Sequence, residues 1–270
     1  MEKILRLSPF FSKKIWGYEK WNVSTHRNGN SVVVNENNKL LKDVLNKELP
    51  ILIKIIQANE TLSVQVHPDD EYANLYENDN GKTECWYVLD AKEDAMLVSG
   101  LKKGITKEQF KKIIDENKVE EYIEKINVKS GDMIYIPAGT VHAIQGGIKI
   151  LEVQQSSDVT YRIYDWGRDR EMHVQKALDV IDYEGKRKGG KIENFSKLET
   201  PYFTIEKIYV KGSYNDTVKE DFQCYTVIDG SGYITDGEEI IKLEKEETVY
   251  IPNNIKYEIN GDLKLIKCYV

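Results

Sequence analysis

Histidine and cysteine are scarce in this 270-residue chain, with four of the first and three of the second. The cysteines, Cys85, Cys224 and Cys268, are odd in number and widely spaced, and no two form a Cys-x-x-Cys pair. A disulfide framework and a thiolate zinc site are both disfavoured by that pattern. The histidines are His26, His67, His142 and His173, so any imidazole metal site must draw on this short set. Positive charge is not in excess either. The 38 Lys and Arg against 45 Asp and Glu leave a formal charge of −7, which argues against the clustered basic surface that nucleic acid or an anionic membrane requires. No apolar run approaches the ~20 residues that span a bilayer, and no apolar signal-peptide core follows the opening Met1-Glu2-Lys3-Ile4-Leu5-Arg6. The expectation is a cytoplasmic protein with neither nucleic-acid nor membrane partners. What is present is apolar material for a real core, 40% of residues, so wholesale disorder is excluded and one or two domains are expected.

Most of that material lies in short runs rich in Val, Ile, Tyr and Thr, many of them bounded by Gly, Asn, Asp or Pro. The segments 51–56, 61–66, 84–89, 133–136, 148–154, 204–210 and 225–228 read as strands. An all-β sandwich or barrel follows. Helical signals are local. Thr106 and Gln109 form a capping-box pattern, and Phe110, Ile113 and Ile114 then recur at helical spacing. Tyr122, Ile123 and Ile126 extend this into a second helical stripe, giving a small helical insert near 101–126. Asp69, Asp70 and Glu71 after Pro68 suit the acidic first turn of a short helix. A further amphipathic stretch, Val174, Ala177, Leu178 and Ile181, precedes the Gly/Lys-rich run 184–191, which is the best linker candidate.

The two sides of that run are related. Gly131-Asp132-Met133-Ile134-Tyr135-Ile136-Pro137 aligns with Glu246-Glu247-Thr248-Val249-Tyr250-Ile251-Pro252 and carries His142 onto Tyr257, an offset of 257 − 142 = 115. Glu84-Cys85-Trp86-Tyr87-Val88 aligns with Gln223-Cys224-Tyr225-Thr226-Val227 at 223 − 84 = 139. The difference of 24 is about the length of the helical insert, which lies between these motifs in the first copy only. Two related β-domains are expected, 1–190 and 191–270. The second has Tyr257 and Gln223 where the first has His142 and Glu84, so a metal site belongs to the first.

Period-2 alternation puts Gln65 and His67 on one face of a strand. Glu84 opens the next strong strand, and His142 follows the Pro137-x-Gly139 turn. A Gln-His-Glu-His set of mixed nitrogen and oxygen donors suits zinc or a neighbouring divalent transition metal with one position left open. His26, in a Thr-His-Arg-Asn-Gly turn, and His173, at a helix border, are not expected as ligands.

These residues also carry a family signature. Gly131-x5-Pro137-x-Gly139-x2-His142 resembles the second cupin motif. Leu62-Ser63-Val64-Gln65-Val66-His67-Pro68, Gly81-Lys82-Thr83-Glu84-Cys85-Trp86-Tyr87 and Tyr161-Arg162-Ile163-Tyr164-Asp165-Trp166-Gly167-Arg168 resemble signature segments of the type I mannose-6-phosphate isomerases in their short bacterial form. The resemblance runs from about Pro9 to the C-terminus. It departs from the family pattern at Gly17-Tyr18 and Trp21-Asn22, where Gly-Gly and Trp-Glu are expected. It implies two cupin (jelly-roll) domains, the second degenerate, and an enzyme interconverting mannose 6-phosphate and fructose 6-phosphate. One Zn²⁺ per chain is implied in the N-terminal cupin, on Gln65, His67, Glu84 and His142. Arg162 and Lys82 stand at active-site positions, as catalytic and substrate-binding groups, and Ser63 is a further substrate-contact candidate. Three rival functions are isomerisation of another phosphorylated aldose, sugar binding by a non-catalytic metal-bearing cupin, and metal-dependent dioxygenation. The last sits better with a His-rich set of ligands.

Overall fold

In the computed structural model, which describes residues 3–270, 49% of the chain is strand and 13% helix, so the all-β expectation holds. The chain divides into two compact units. One comprises Lys13–Glu19 and Ile56–Glu193, the other the residues up to Ser12, Lys20–Ile55 and Asn194–Val270. The N-terminal region is thus shared between the units instead of falling wholly on one side of a boundary at 190/191. The cause is long-range pairing. Leu5 lies opposite Tyr250, and Arg6 opposite Val249, contacts that no local pattern encodes.

The unit containing residues 56–193 is a pair of antiparallel sheets. In one, the strand Glu84–Ala91 runs between Met133–Ile136 and Ile148–Gln155, with Gly190–Ile192 outside Met133–Ile136. The other has the order Ile123–Asn127, Met96–Leu101, His142–Ile144, Val64–Val66, Tyr161–Tyr164. Trp86, Val88, Ile134, Ile136, Ile148 and Ile150 from the first sheet pack with Leu97 and Ile144 from the second. The opposite face of the second sheet presents Val64, Val66, Val98, Ala143, Tyr161 and Ile163 to the helical residues Phe110, Ile113, Ala177 and Leu178. Each strand of the second sheet that carries a site residue therefore has one apolar face on the helices, and the site residue lies on the other face, turned inward. That alternation is what collects the polar groups described below.

The insert is real but shorter in helix than the sequence suggests. Lys107–Asp115 is a helix with the Thr106–Gln109 capping box formed on both sides. After the short helix Val119–Tyr122, however, residues Ile123–Asn127 are a strand paired with Met96–Leu101. A stripe of three apolar residues fits either period, and sheet pairing decides it. Thr106→Ala should cost about 1 kcal/mol of stability, the usual effect of losing such a cap, with urea unfolding as the check.

Two other segments differ from expectation. Only Val64–Val66 of the run 61–66 is strand, because the carbonyls of Thr61 and Leu62 are taken by the side chains of Arg168 and Trp166. The Gly/Lys-rich run 184–191 is fastened down rather than free. Arg187 donates to the Ala138 carbonyl at 2.8 Å and to Asp69 at 2.6 Å, and Lys191 donates to Asp132 at 2.7 Å. The short helix after Pro68 forms as read, capped by Asp69, whose side chain accepts from the Tyr72 amide.

In the other unit the strands Lys197–Glu199, Thr204–Thr217, Lys256–Tyr269, Phe222–Thr235, Thr248–Pro252 and Leu5–Ser8 follow one another across one sheet. The internal repeat is visible as register. Glu84 lies opposite Ile136 and Gln154, and Gln223 lies opposite Ile251 and Tyr269. The partners differ by 251 − 136 = 115 and 269 − 154 = 115, the offset read from the sequence.

Candidate metal centre and active site

A row of directly opposed residues crosses the second sheet. Ser99 faces His142, His142 faces Gln65, and Gln65 faces Arg162. Directly opposed residues share a face, so the candidate ligands and the candidate catalytic arginine point to the same side. Lys82 and Glu84 come from the other sheet. Glu84 heads the strand Glu84–Ala91, and Lys82 is held just before it by its amide, which donates to the Pro68 carbonyl at 3.0 Å. The loops are fastened to one another, since the Gly139 amide donates to the His67 carbonyl at 2.8 Å. Gly139 has φ +87°, and a Cβ there would stand 3.0 Å from the Val180 carbonyl oxygen, which is why the turn before His142 needs glycine. Gly81, just before Lys82, is equally confined, because a Cβ would stand 2.4 Å from the Asp70 amide nitrogen.

His67, Glu84 and His142 are buried, and their ligating atoms all lie within 4.8 Å of one another. Each imidazole is oriented by a backbone carbonyl. His67 Nδ1 is 2.8 Å from the Val159 oxygen, and His142 Nδ1 is 2.9 Å from the Thr140 oxygen. A carbonyl can only accept, so both rings carry their proton on Nδ1 and turn the Nε2 lone pair inward. Nε2 of His67 lies 3.6 Å, and Nε2 of His142 3.4 Å, from oxygens of Glu84. Burial, reinforced by the charge of Lys82, pushes His142 down to about 3, so its imidazole is neutral at physiological pH, the form that binds metal. Lys82 Nζ stands 2.6 Å from Glu84 Oε2 as its ion-pair partner, and Glu84 Oε1 has no hydrogen-bond partner among the described residues. The two inward Nε2 atoms and the buried Glu84 carboxylate, with Lys82 Nζ beside both His67 and Glu84, are a donor set that suits a divalent metal. Gln65 adjoins it, with its amide nitrogen 3.3 Å from His142 Nε2.

Lys82 Nζ also lies 2.9 Å from His67 Nε2. Burial alone would lower this ammonium. Glu84 and then Glu152 outweigh burial and hold it above its ordinary value, so Lys82 is a buried, protonated donor. Arg162 is partly buried. Its Nη1 donates to the Glu171 carbonyl at 2.5 Å, while its buried Nε–H has no partner among the described residues. Burial, then Arg170, bring its guanidinium below its ordinary value, though such a group stays charged. Ser63 is buried, with Oγ 3.3 Å from Gln65 Oε1. His173 lies outside the ligand group. Its amide donates to the Arg162 carbonyl at 2.8 Å.

Glu152 is a site residue that the motifs did not single out. It is buried at 3% exposure, accepts a hydrogen bond from Trp86 Nε1 at 3.0 Å, and acts electrostatically on both Lys82 and His142. The available signal was a carboxylate in the apolar run Ile148–Gln155, two residues from Gln154, which lies opposite Glu84.

In the second copy the equivalent positions close on themselves. Tyr257 donates to Gln223 Oε1 at 2.7 Å and lies 2.6 Å from the Tyr225 hydroxyl, and Gln223 donates to Glu220 at 2.8 Å. Among the described residues the His67–Glu84–His142 group is the one His, Cys, Asp or Glu cluster of metal-site dimensions. Metal analysis should therefore give one equivalent per chain. Two equivalents lost separately, one with His142 and one with a C-terminal residue, would contradict this.

Fold and site together define a protein of two cupin-type β-domains in which, among the described residues, the metal-binding group lies in the first. Comparison with known proteins gives the family. The family model for the catalytic domain of type I phosphomannose isomerase matches residues 14–98, and that for the mannose-6-phosphate isomerase cupin domain matches residues 191–270. The mannose-6-phosphate isomerase of Streptococcus mutans is 36% identical, with 98% of each chain covered. ManA of Bacillus subtilis, also a mannose-6-phosphate isomerase, is 33% identical over 97% of this chain and 95% of its own. The crystal structure of mannose 6-phosphate isomerase from Bacillus subtilis superimposes with a TM-score of 0.91 at 29% identity, covering 100% of both chains. Phosphomannose isomerase from Salmonella typhimurium shares the fold, with a TM-score of 0.77 at 14% identity and 99% of each chain covered. The chain belongs to the type I mannose-6-phosphate isomerase family and is an isomerase.

Proposed function

We propose that the protein interconverts mannose 6-phosphate and fructose 6-phosphate through an enediol(ate). The observation that carries this is a buried Lys82 whose Nζ is set 2.6 Å from Glu84 and 2.9 Å from His67, beside a row that ends in Arg162. A sugar-binding module has no need of a buried ammonium among its metal ligands, whereas an isomerase needs proton donors and fixed positive charge there. His67, Glu84 and His142, with Gln65, would hold the cofactor, for which zinc fits the mixed nitrogen and oxygen donors. A divalent ion in this position supplies Lewis-acid polarisation of the sugar oxygens.

In the aldose-to-ketose direction a base takes the C2 proton, the electrons of the C2–H bond form the C1=C2 double bond, and the C1=O electrons move onto O1, which becomes an oxyanion. Protonation of O1, loss of the O2 proton and return of a proton to C1 complete the ketose. Lys82, a buried amine paired with Glu84, would stabilise or protonate the developing oxyanion. Arg162 would offer its Nε–H, which has no partner among the described residues, to the enediolate or the phosphate. Ser63 is a candidate contact for the sugar, next to Gln65. No helix among the described residues is long and apolar enough to cross a membrane, and all three cysteines are free and buried. Both observations support a cytoplasmic setting.

Substrate identity is tested by comparing purified protein on mannose 6-phosphate and glucose 6-phosphate, with fructose 6-phosphate as the common product. Preferential turnover of the mannose epimer is expected. A preference for glucose 6-phosphate would move the assignment to another aldose.

A further inference from the structure

The turn after Arg162 carries backbone strain that the chemistry above does not use. Trp166 is a bulky residue with φ +54°, followed by Gly167 at φ +78°. A tryptophan in the left-handed region is a genuine outlier and persists only where its surroundings enforce it. Here the strained turn aims two donors at one place. Trp166 Nε1 donates to the Leu62 carbonyl at 2.7 Å, and Arg168 Nη2 donates to the Thr61 carbonyl at 2.7 Å. Leu62 immediately precedes Ser63 and lies three and five residues ahead of Gln65 and His67. Asp165, buried at 3% exposure, anchors the turn. Its Oδ1 accepts from Arg168 Nη2 at 2.7 Å and Arg170 Nη2 at 2.6 Å, and its Oδ2 accepts from Arg170 Nε at 2.6 Å. The strand bearing Arg162 also pairs with the ligand strand, though the register shifts between Arg162 and Tyr164. Regular pairing therefore holds one end of the ligand strand, and side-chain donors hold the other.

We infer that Asp165, Trp166 and Arg168 form a clasp whose role is to hold the metal-ligand strand and Arg162 in one fixed relation, with Asp165 and Trp166 as positioning residues. The inference rests on the isomerase function proposed above. If the clasp served only to reverse the chain, glycine or asparagine would fill the left-handed position without strain, and no side chain would need to reach back to Thr61 and Leu62. Groups hydrogen-bonded directly to a metal ligand typically matter by 10–100-fold in metal affinity or activity, and the clasp, which grips the backbone ahead of the ligand strand, is expected at the lower end of that range.

The test uses the metal-loaded protein with Asp165→Asn and Trp166→Phe. The asparagine keeps the shape but turns an amide toward one arginine. The phenylalanine keeps an aromatic ring while removing the indole donor and part of the ring's bulk, which is why kcat and metal affinity are compared per folded molecule. Metal affinity is measured by competition with a chelator, and kcat and KM are normalised to the folded fraction. The clasp predicts roughly tenfold weaker metal binding and roughly tenfold lower kcat, with KM within about twofold. Lower thermal stability with unchanged metal affinity and unchanged kcat per folded molecule would overturn it. If Asp165→Asn fails to fold, Trp166→Phe decides alone. If the unsubstituted protein proves inactive on mannose 6-phosphate, the functional assignment fails, yet the metal-affinity comparison still decides the clasp.

Discussion

His67→Ala should abolish metal binding and isomerase activity together while leaving the β core folded. His67 supplies one of only two imidazole donors in the metal-binding group, and its ring is already oriented for that task by the Val159 carbonyl. The apolar clusters on either face of the ligand-bearing sheet contain none of the candidate ligands, so the ion is not what buries the core. Losing several kcal/mol of charge stabilisation in the transition state corresponds to a fall in turnover on the order of 10³-fold. Glu84→Ala should match that loss but also destabilise the protein by about 3 kcal/mol, because it strands the buried Lys82 ammonium without its partner. Glu84→Gln separates the two effects. Metal content, turnover and urea unfolding of the three variants check all of this. Retained metal with normal activity in His67→Ala would show that the ligand set is wrong.

Arg162→Lys should damage activity severely although net charge is unchanged. Arg162 already commits Nη1 to the Glu171 carbonyl and keeps a buried Nε–H without a partner among the described residues. Lysine is a flexible point charge and cannot serve both directions, whereas the guanidinium is a rigid fork of donors. Stabilisation of the enediolate predicts a fall in kcat of roughly 10²–10³ with much less change in KM, the usual scale for one such donor. A uniform grip on phosphate would instead raise KM and leave kcat unchanged. Steady-state kinetics of Arg162→Lys and Arg162→Ala, with metal content confirmed, separate the two roles. A near-normal kcat in Arg162→Ala would remove Arg162 from the catalytic group.

Much of this was legible in the sequence because a strand has a two-residue period. Once Gln65 and His67 share a face, a second histidine and a carboxylate at strand starts have only a few places to go. The repeat was legible for a related reason, since the pairing of Glu84 with Ile136 and of Gln223 with Ile251 conserves register along with the Tyr-Ile-Pro motif. Contacts between distant side chains were not legible. Residues Ile123–Asn127 became strand through pairing with Met96–Leu101, although their apolar stripe also suits a helix. Thr61 and Leu62 left the strand because two side chains from about a hundred residues later occupy their carbonyls. The run 184–191 has a linker's composition but is fastened by Arg187 and Lys191 to Asp69, Ala138 and Asp132. Glu152 escaped notice because it belongs to no motif and is revealed as a site residue only by what it faces.

The central claim is that a metal held by His67, Glu84 and His142 enables isomerisation of a sugar phosphate by Lys82 and Arg162. It is tested most directly by following mannose 6-phosphate to fructose 6-phosphate with the purified protein, first as isolated, then after a chelator has removed the metal, then after zinc is restored. The expected result is turnover that disappears on metal removal and returns with one equivalent of zinc per chain. Full turnover in demonstrably metal-free protein, or none in protein carrying its full equivalent of zinc, would contradict it.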